Sequence, residues 1–393
     1  MKTFARASYI RFTLLEISYW CFSASFISFL GSYLLSKGIS NTVLSILLAL
    51  YLLAGFAGSF LWGSLCDRLS SNRNILLPCF ISTGLLAFLI YCFAANLPAL
   101  FILYPLIGLM FQPQAANIDS WLLAACANDA SIYGKIRSTP SLFFAVVSFF
   151  LGRLIAKHGY IYMLLFAFCF LALAIFITVQ IPDYKREVTQ EKTQTGSIHA
   201  IRQIFSIRNY RFLIFLLFFI GISIAPLNNL KIALLQQVGG NTASLGIDSF
   251  IAALTQVPLL AIADRTTKIP RKIRYLLMCA LTLLALLLAF WATAPFMIYI
   301  GSFIYNVSFG ITLPTMREVT ERTVPSEQRN LGHCISDAIF NSFSGIISLS
   351  YSGLIMDTFG SKTLLATCIT LILIPLVITC VRSAKALPTG SKM

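Results

Sequence analysis

The chain has 393 residues, 58% of them hydrophobic and only 11% charged, with a formal net charge of +15. A soluble domain carries about 25% charged residues, so no soluble fold can hide this much apolar surface behind so few charges. Continuous apolar runs of about twenty residues, in place of short alternating segments, exclude a membrane β-barrel and predict an all-α multi-pass membrane protein.

In chain order, spans are predicted near 10–34, 42–65, 74–95, 98–124, 137–157 and 160–181. The second six are predicted near 209–236, 243–263, 275–292, 295–316, 331–356 and 362–382. The first run is too long for a cleavable signal peptide and reads as a span. Twelve spans use roughly 250 residues, at about 20 each, which leaves no space for a sizeable soluble domain. The polar stretch 182–207 is expected to be a cytoplasmic linker between two six-helix bundles, 1–181 and 208–393. Its last part, 198–210, is amphipathic and is expected to lie along the membrane surface. Gly360-Ser361-Lys362-Thr363 lacks the spacing of a phosphate-binding loop. Any transport would therefore be driven by a gradient, and no cofactor is implied.

Orientation follows from lysine and arginine. Of 29 such residues, only Lys37, Arg153, Lys157, Lys231 and Lys362 fall on one side of the predicted topology. The other side holds both termini and the linker, so these are expected in the cytoplasm of a plasma (inner) membrane protein. The positive charge is thus a topology signal, and no nucleic-acid partner is implied. The ten cysteines form no C-x-x-C pair and read as packing residues. The three histidines show no metal-ligand spacing.

The sequence repeats itself. Cys66-Asp67-Arg68 returns as Ala263-Asp264-Arg265, and Pro98 as Pro295, both 197 residues on. Gly152 and Gly159 return as Gly353 and Gly360, 201 residues on. Six spans per repeat is an even number, so both halves point the same way. Two parallel, pseudo-symmetric six-helix halves are the pattern of major facilitator transporters.

Two local motifs carry a more specific resemblance. Gly63-Ser64-Leu65-Cys66-Asp67-Arg68-Leu69-Ser70-Ser71-Asn72-Arg73 resembles the major facilitator loop motif, with Ser70 in place of its later glycine. The segment from Asp119-Ser120-Trp121 through Asn128-Asp129 to Tyr133-Gly134-Lys135-Ile136-Arg137 resembles the lactose permease (oligosaccharide:proton symporter) branch and its phenylpropionate and nucleoside relatives. The resemblance implies that Asp119 and Arg137, eighteen residues apart, hold a sugar. It implies a ring-stacking role for Phe144, where the family has tryptophan. It implies a gating role for Gly63, Asp67, Arg68 and Arg73. The family's proton relay on spans 9 and 10 has no counterpart: span 10 carries Tyr305, Asn306 and Ser308 there.

The residues also speak for themselves. A charge at the centre of a bilayer helix costs about 2.5–3.5 kcal/mol on insertion scales, so embedded charges pair or line water. Asp119 and Arg137 lie nine residues either side of position 128, at equal depth in a hairpin. Two roles suit them: hydroxyl recognition, with Arg donating and Asp accepting, or a structural clamp. Gln112 lies one heptad before Asp119 and extends a candidate polar stripe. Asn228 and Asn229 follow Pro226 and are candidate cavity amides. Lys231 and Asp248 flank the span 7–8 turn and can pair, or Asp248 can contact substrate. Glu16 is an embedded acid with no basic residue three or four positions on. With Asp119 and Asp248, it is a candidate proton carrier.

The expected function is secondary transport of a small polar organic solute, a sugar or oligosaccharide, by proton symport with alternating access. Alternatives are a nucleoside, aromatic-acid or drug transporter, or a non-transporting ligand sensor. The expected partners are a small-molecule substrate, protons or alternatively sodium, and the lipid bilayer. All spans can pack within one chain, so a monomer is expected, and catalytic constellations are absent.

Overall fold

Within a bilayer only a helix or a closed barrel satisfies every backbone N–H and C=O, and the long apolar runs select helix. The computed structural model describes residues 6–69, 71–126, 129–183, 198–261 and 263–385, and all regular structure among them is helical. Eleven helices among the described residues are long and apolar enough to cross a membrane. Spans 1 to 6 run Arg6–Ser36, Asn41–Cys66, Arg73–Cys92, Leu97–Ala125, Ile132–His158 and Ile161–Gln180. Span 7 is Arg208–Asn229, and spans 9 to 12 are Arg271–Phe290, Pro295–Thr323, Ser326–Phe359 and Ser361–Arg382. The stretch expected as span 8 is also a helix, Thr242–Ala261, with Asp248, Thr255, Gln256 and Pro258 set into its apolar run.

Proline shapes two spans. Span 4 breaks after Phe111 and resumes at Gln114, with Pro113 between the pieces. Proline removes one ladder donor and clashes with the preceding turn, which bends a helix at that point. Span 7 stops at Asn229, one turn after Pro226, and a short helix Lys231–Gln237 follows. Spans 1 and 11 each contain one widened π turn, at Ser23–Ile27 and Ala338–Phe343.

The repeat is visible in both turns and packing. Among the described residues, four glycines have positive φ: Gly38, Gly159, Gly239 and Gly360, at 85°, 90°, 81° and 85°. Gly38, Gly159 and Gly360 end spans 1, 5 and 11, and Gly239 ends the short helix that follows span 7, places where only glycine adopts this backbone without penalty. By contacts, residues gather into two units. One comprises Met1–Thr189 with Leu235–Leu254, the other Gln190–Leu234 with Thr255–Met393. In the first unit, span 1 packs on spans 5 and 6, and span 3 on spans 4 and 6. In the second, span 7 packs on spans 11 and 12, and span 9 on spans 10 and 12. Adding six to each number converts one set into the other.

The early part of Thr242–Ala261 belongs to the first unit through a crossing of small residues. A Cβ on Gly152 would stand 2.6 Å from the carbonyl oxygen of Thr242 and 3.0 Å from Cα of Gly246. Only glycine allows backbones so close. The linker's expected amphipathic stretch is the helix Ile198–Ser206. Its Ala200 and Ile204 are buried in protein, and Gln328 Nε2 donates to Gln203 Oε1 at 2.7 Å.

Candidate functional site

Three spans of the first unit bring their charged groups together. Span 1 supplies Glu16, 2% exposed, with Trp20 one turn later. The second piece of span 4 supplies Asp119, and span 5 supplies Arg137. The break at Pro113 is repaired locally: Gln114 Nε2 donates to Met110 O at 2.8 Å, and Asn117 Nδ2 donates to Gln114 Oε1 at 3.0 Å. These buried amides hold the second piece, and with it Asp119, at a fixed angle.

Arg137 Nε lies 3.2 Å from Asp119 Oδ1, with the two side chains 33% and 26% exposed. That accessibility leaves the pair within reach of solvent. The contact is an ion pair, and Asp119 Oδ1 has no aligned hydrogen-bond donor among the described residues. Glu16 feels both Asp119 and Arg137 electrostatically. Its Oε2 accepts from Trp20 Nε1 at 3.1 Å, while Oε1 is buried without a hydrogen-bond partner among the described residues. Arg137 Cζ stands 4.9 Å over the Trp20 ring centre. Tyr133 adds a hydroxyl beside Asp119. Two acids and one guanidinium carry a formal charge of −1, and one added proton makes the set neutral. The set can therefore accept a proton, and it can offer acceptors and a planar donor fork to hydroxyl groups.

The remaining predicted residues are placed as follows. Phe144 is half-buried, two turns beyond Arg137 on span 5. Gln112 is half-buried in the break of span 4, and its amide occupies the space that a Cβ on Gly55 of span 2 would need. The break separates it from Asp119, so one continuous helical stripe does not form. Gly63 has open space about it, Arg68 is exposed, and the buried Nε of Arg73 has no hydrogen-bond partner among the described residues. The Asp67 side chain lies outside the described residues.

In the second unit, polar groups form a chain on the short helix after span 7 and on spans 8 and 10. Lys231 is 8% exposed and its Nζ donates to Ser302 Oγ at 2.9 Å. One turn on, Asn306 Nδ2 donates to Ser302 O at 2.7 Å, and Asn306 Oδ1 accepts from Gln256 Nε2 at 2.7 Å. Asn228 is exposed and interacts with Tyr305, whereas Asn229 Nδ2 donates to Ala225 O at 2.9 Å within its own helix. Asp248 is 1% exposed and belongs to the first unit. Sequence reasoning missed Ser302 and Gln256, because isolated polar residues in an apolar run show no partner until helices pack.

It also missed a charge as deeply buried as Asp248. Arg274, 1% exposed, donates through Nε to Ile269 O at 2.9 Å, through one terminal nitrogen to Thr315 Oγ1 at 3.1 Å, and through the other to Glu318. Arg271 and Arg322 reach the other oxygen of Glu318 at 3.2 and 3.0 Å. Positions 274 and 318 sit at the far ends of spans 9 and 10, but their midpoint, position 296, falls inside span 10 rather than in the turn between Phe290 and Pro295. The hairpin counting that pairs Asp119 with Arg137 therefore does not find them.

Comparison with known proteins places this architecture. The maltose permease of Geobacillus stearothermophilus is 23% identical over 321 residues, 81% of this chain and 80% of that protein. A solved structure of the nucleoside transporter NupG superposes with a TM-score of 0.83 at 14% identity, covering 95% of this chain and 98% of that one. A D-xylose-proton symporter structure superposes with a TM-score of 0.67 at 14% identity, covering 95% of both chains. These structural likenesses extend to the fold. Residues 12–349 match the Major Facilitator Superfamily. With that match over most of its length and the all-helical repeat architecture, the chain belongs to the Major Facilitator Superfamily of membrane transporters.

Proposed function

We propose that this transporter moves a small hydroxylated solute, a sugar or oligosaccharide, together with a proton. The observation that carries the reading is the half-open Asp119–Arg137 pair with Glu16 beside it. Arg137 donates to cargo hydroxyls and Asp119 accepts from them. Sugar recognition draws on this donor–acceptor pairing, on the lactose permease-like segment around it and on the maltose permease relative.

Charge arithmetic supports the coupling. With both acids ionised the set is −1, and taking that charge through a reorientation inside the bilayer is costly. One proton on the Glu16–Asp119 pair makes the set neutral. Neutral and loaded, or charged and held, the two bundles 1–181 and 208–393 then alternate access about the linker 182–207. Gly63, Asp67, Arg68 and Arg73 latch the cytoplasmic side. The chain works as a monomer in the plasma membrane with both termini in the cytoplasm.

The test is proton movement in de-energised cells or vesicles. Pulses of maltose, other disaccharides, monosaccharides and nucleosides are given while external pH is recorded. Alkalinisation with a sugar is expected. Silence with every sugar while labelled-sugar counterflow persists would remove the proton. Alkalinisation with a nucleoside alone would replace the cargo.

A further inference from the structure

Trp20 touches two of the three charged groups at the site by two different kinds of contact. Its edge donates Nε1–H to Glu16 Oε2 at 3.1 Å. Its face lies under the Arg137 guanidinium at 4.9 Å. The ring plane is itself fixed from behind. The Tyr19 ring meets it edge-on, with centres 5.4 Å apart at 88°. Tyr19 stacks on Phe111 of span 4 at 4.6 Å and donates its hydroxyl to Phe111 O at 3.2 Å. One indole on span 1 is thereby braced against span 4 and supports a cation from span 5.

We propose that Trp20 is a positioning residue that ties the placement of Arg137 to the charge state of Glu16. The proposal rests on the substrate-site reading above and deepens it. A hydrogen bond to an ionised acceptor is about twice as strong as a neutral one. While Glu16 is ionised, that stronger bond holds the indole edge, and the ring face keeps the guanidinium beside Asp119. When Glu16 takes a proton, the bond to the indole weakens and the acid no longer attracts the cation. A cation–π contact is worth no more than one or two neutral hydrogen bonds, so cargo hydroxyls can then draw Arg137 off the ring. The groups facing Glu16 are Asp119 from span 4, Tyr133 and Arg137 from span 5, and Tyr19 on its own helix. Span 6, which also packs on span 1, has no acidic or basic residue between Ile161 and Gln180.

The two contacts can be separated. Trp20→Phe keeps a ring face and removes the N–H, and Trp20→Leu removes both. In sugar uptake, W20F is expected to lower kcat about tenfold with KM within about twofold, since a lost charge-assisted hydrogen bond is worth about that factor. W20L is expected to raise KM about tenfold as well, through loss of the cation–π hold. A second readout is independent of transport. The emission of Trp20, taken as the difference between purified protein and its W20F variant, is expected to shift in both Glu16→Gln and Arg137→Gln backgrounds. Should W20F and W20L shift kcat and KM in equal proportion, or should Trp20 emission ignore both substitutions, the residue is packing and the proposal falls. If the wild type moves no proton with any sugar, the symport reading fails by itself, and the emission result still decides the role of Trp20.

Discussion

Two arginine–carboxylate pairs each bridge consecutive antiparallel spans at equal depth, and they are finished differently. Arg274 and Glu318 are 1% and 11% exposed, and every polar edge is engaged: a carbonyl, a hydroxyl and two further arginines complete the cluster. Arg137 and Asp119 are 33% and 26% exposed. Nearby carboxylate oxygens lack hydrogen-bond partners among the described residues, and the guanidinium rests on an aromatic face. A saturated pair can only be broken. An unsaturated, reachable pair can exchange partners, which a binding site requires. Bonding completeness, more than the presence of embedded charge, separates clamp from site.

The largest effect is expected at the clamp. Removing Glu318 leaves Arg274 buried and charged with no acid opposite it, a loss of about 3–5 kcal/mol when one partner of a buried pair is deleted. Glu318→Ala is therefore expected to lower the melting temperature of the detergent-purified protein sharply and to cut its membrane yield. A variant that melts with the wild type would show that the cluster is not a clamp.

At the open pair the loss should appear in activity. Asp119→Asn keeps the shape, removes the charge and leaves Arg137 partly solvated with its ring contact intact. Sugar uptake is expected to fall by about a hundredfold, as two charge-assisted contacts to cargo weaken, with melting within a few degrees of the wild type. A melting loss as large as that of Glu318→Ala, with uptake per folded molecule preserved, would make this pair a second clamp.

Much of this contrast is legible in the sequence, and the limits have physical causes. Span positions follow from apolar run length, which the bilayer fixes. The expected stretch 42–65 and the helix Asn41–Cys66 are one example. The Asp119–Arg137 pair follows from counting outward from a hairpin turn. The same count around the span 9–10 turn, between Phe290 and Pro295, misses Glu318 by about two turns of helix, and read as one more basic residue near a span end, Arg274 passes for a topology signal. Asp248 and Gln256 stand out in the sequence as polar interruptions of one apolar run, yet the run does not say which helices they meet. Trp20 is legible only as an aromatic residue. Its dual contact depends on how span 1 is rotated against span 5, and periodicity within one helix does not fix that angle. Heptad counting places Gln112 on the Asp119 face, which holds for an unbroken helix. Pro113 breaks that helix between the two.

The smallest effect is expected at Phe144, and it sharpens the comparison within the open site itself. Phe144 lies seven residues after Arg137, nearly two full turns, and so on about the same face of span 5. It is not buried. Phe144→Trp adds ring area and an indole donor there. If span 1 already supplies the aromatic support through Trp20, a second indole has little left to add. The KM for ring-shaped sugars is expected to fall by no more than about threefold, the lower end of what an added aromatic contact is worth, and that for a linear polyol to stay unchanged. Counterflow with the two cargo types measures both. A fall of tenfold or more, confined to ring-shaped sugars, would move the aromatic platform from span 1 to span 5. It would leave Trp20 with its hydrogen bond to Glu16 as its only part in the site.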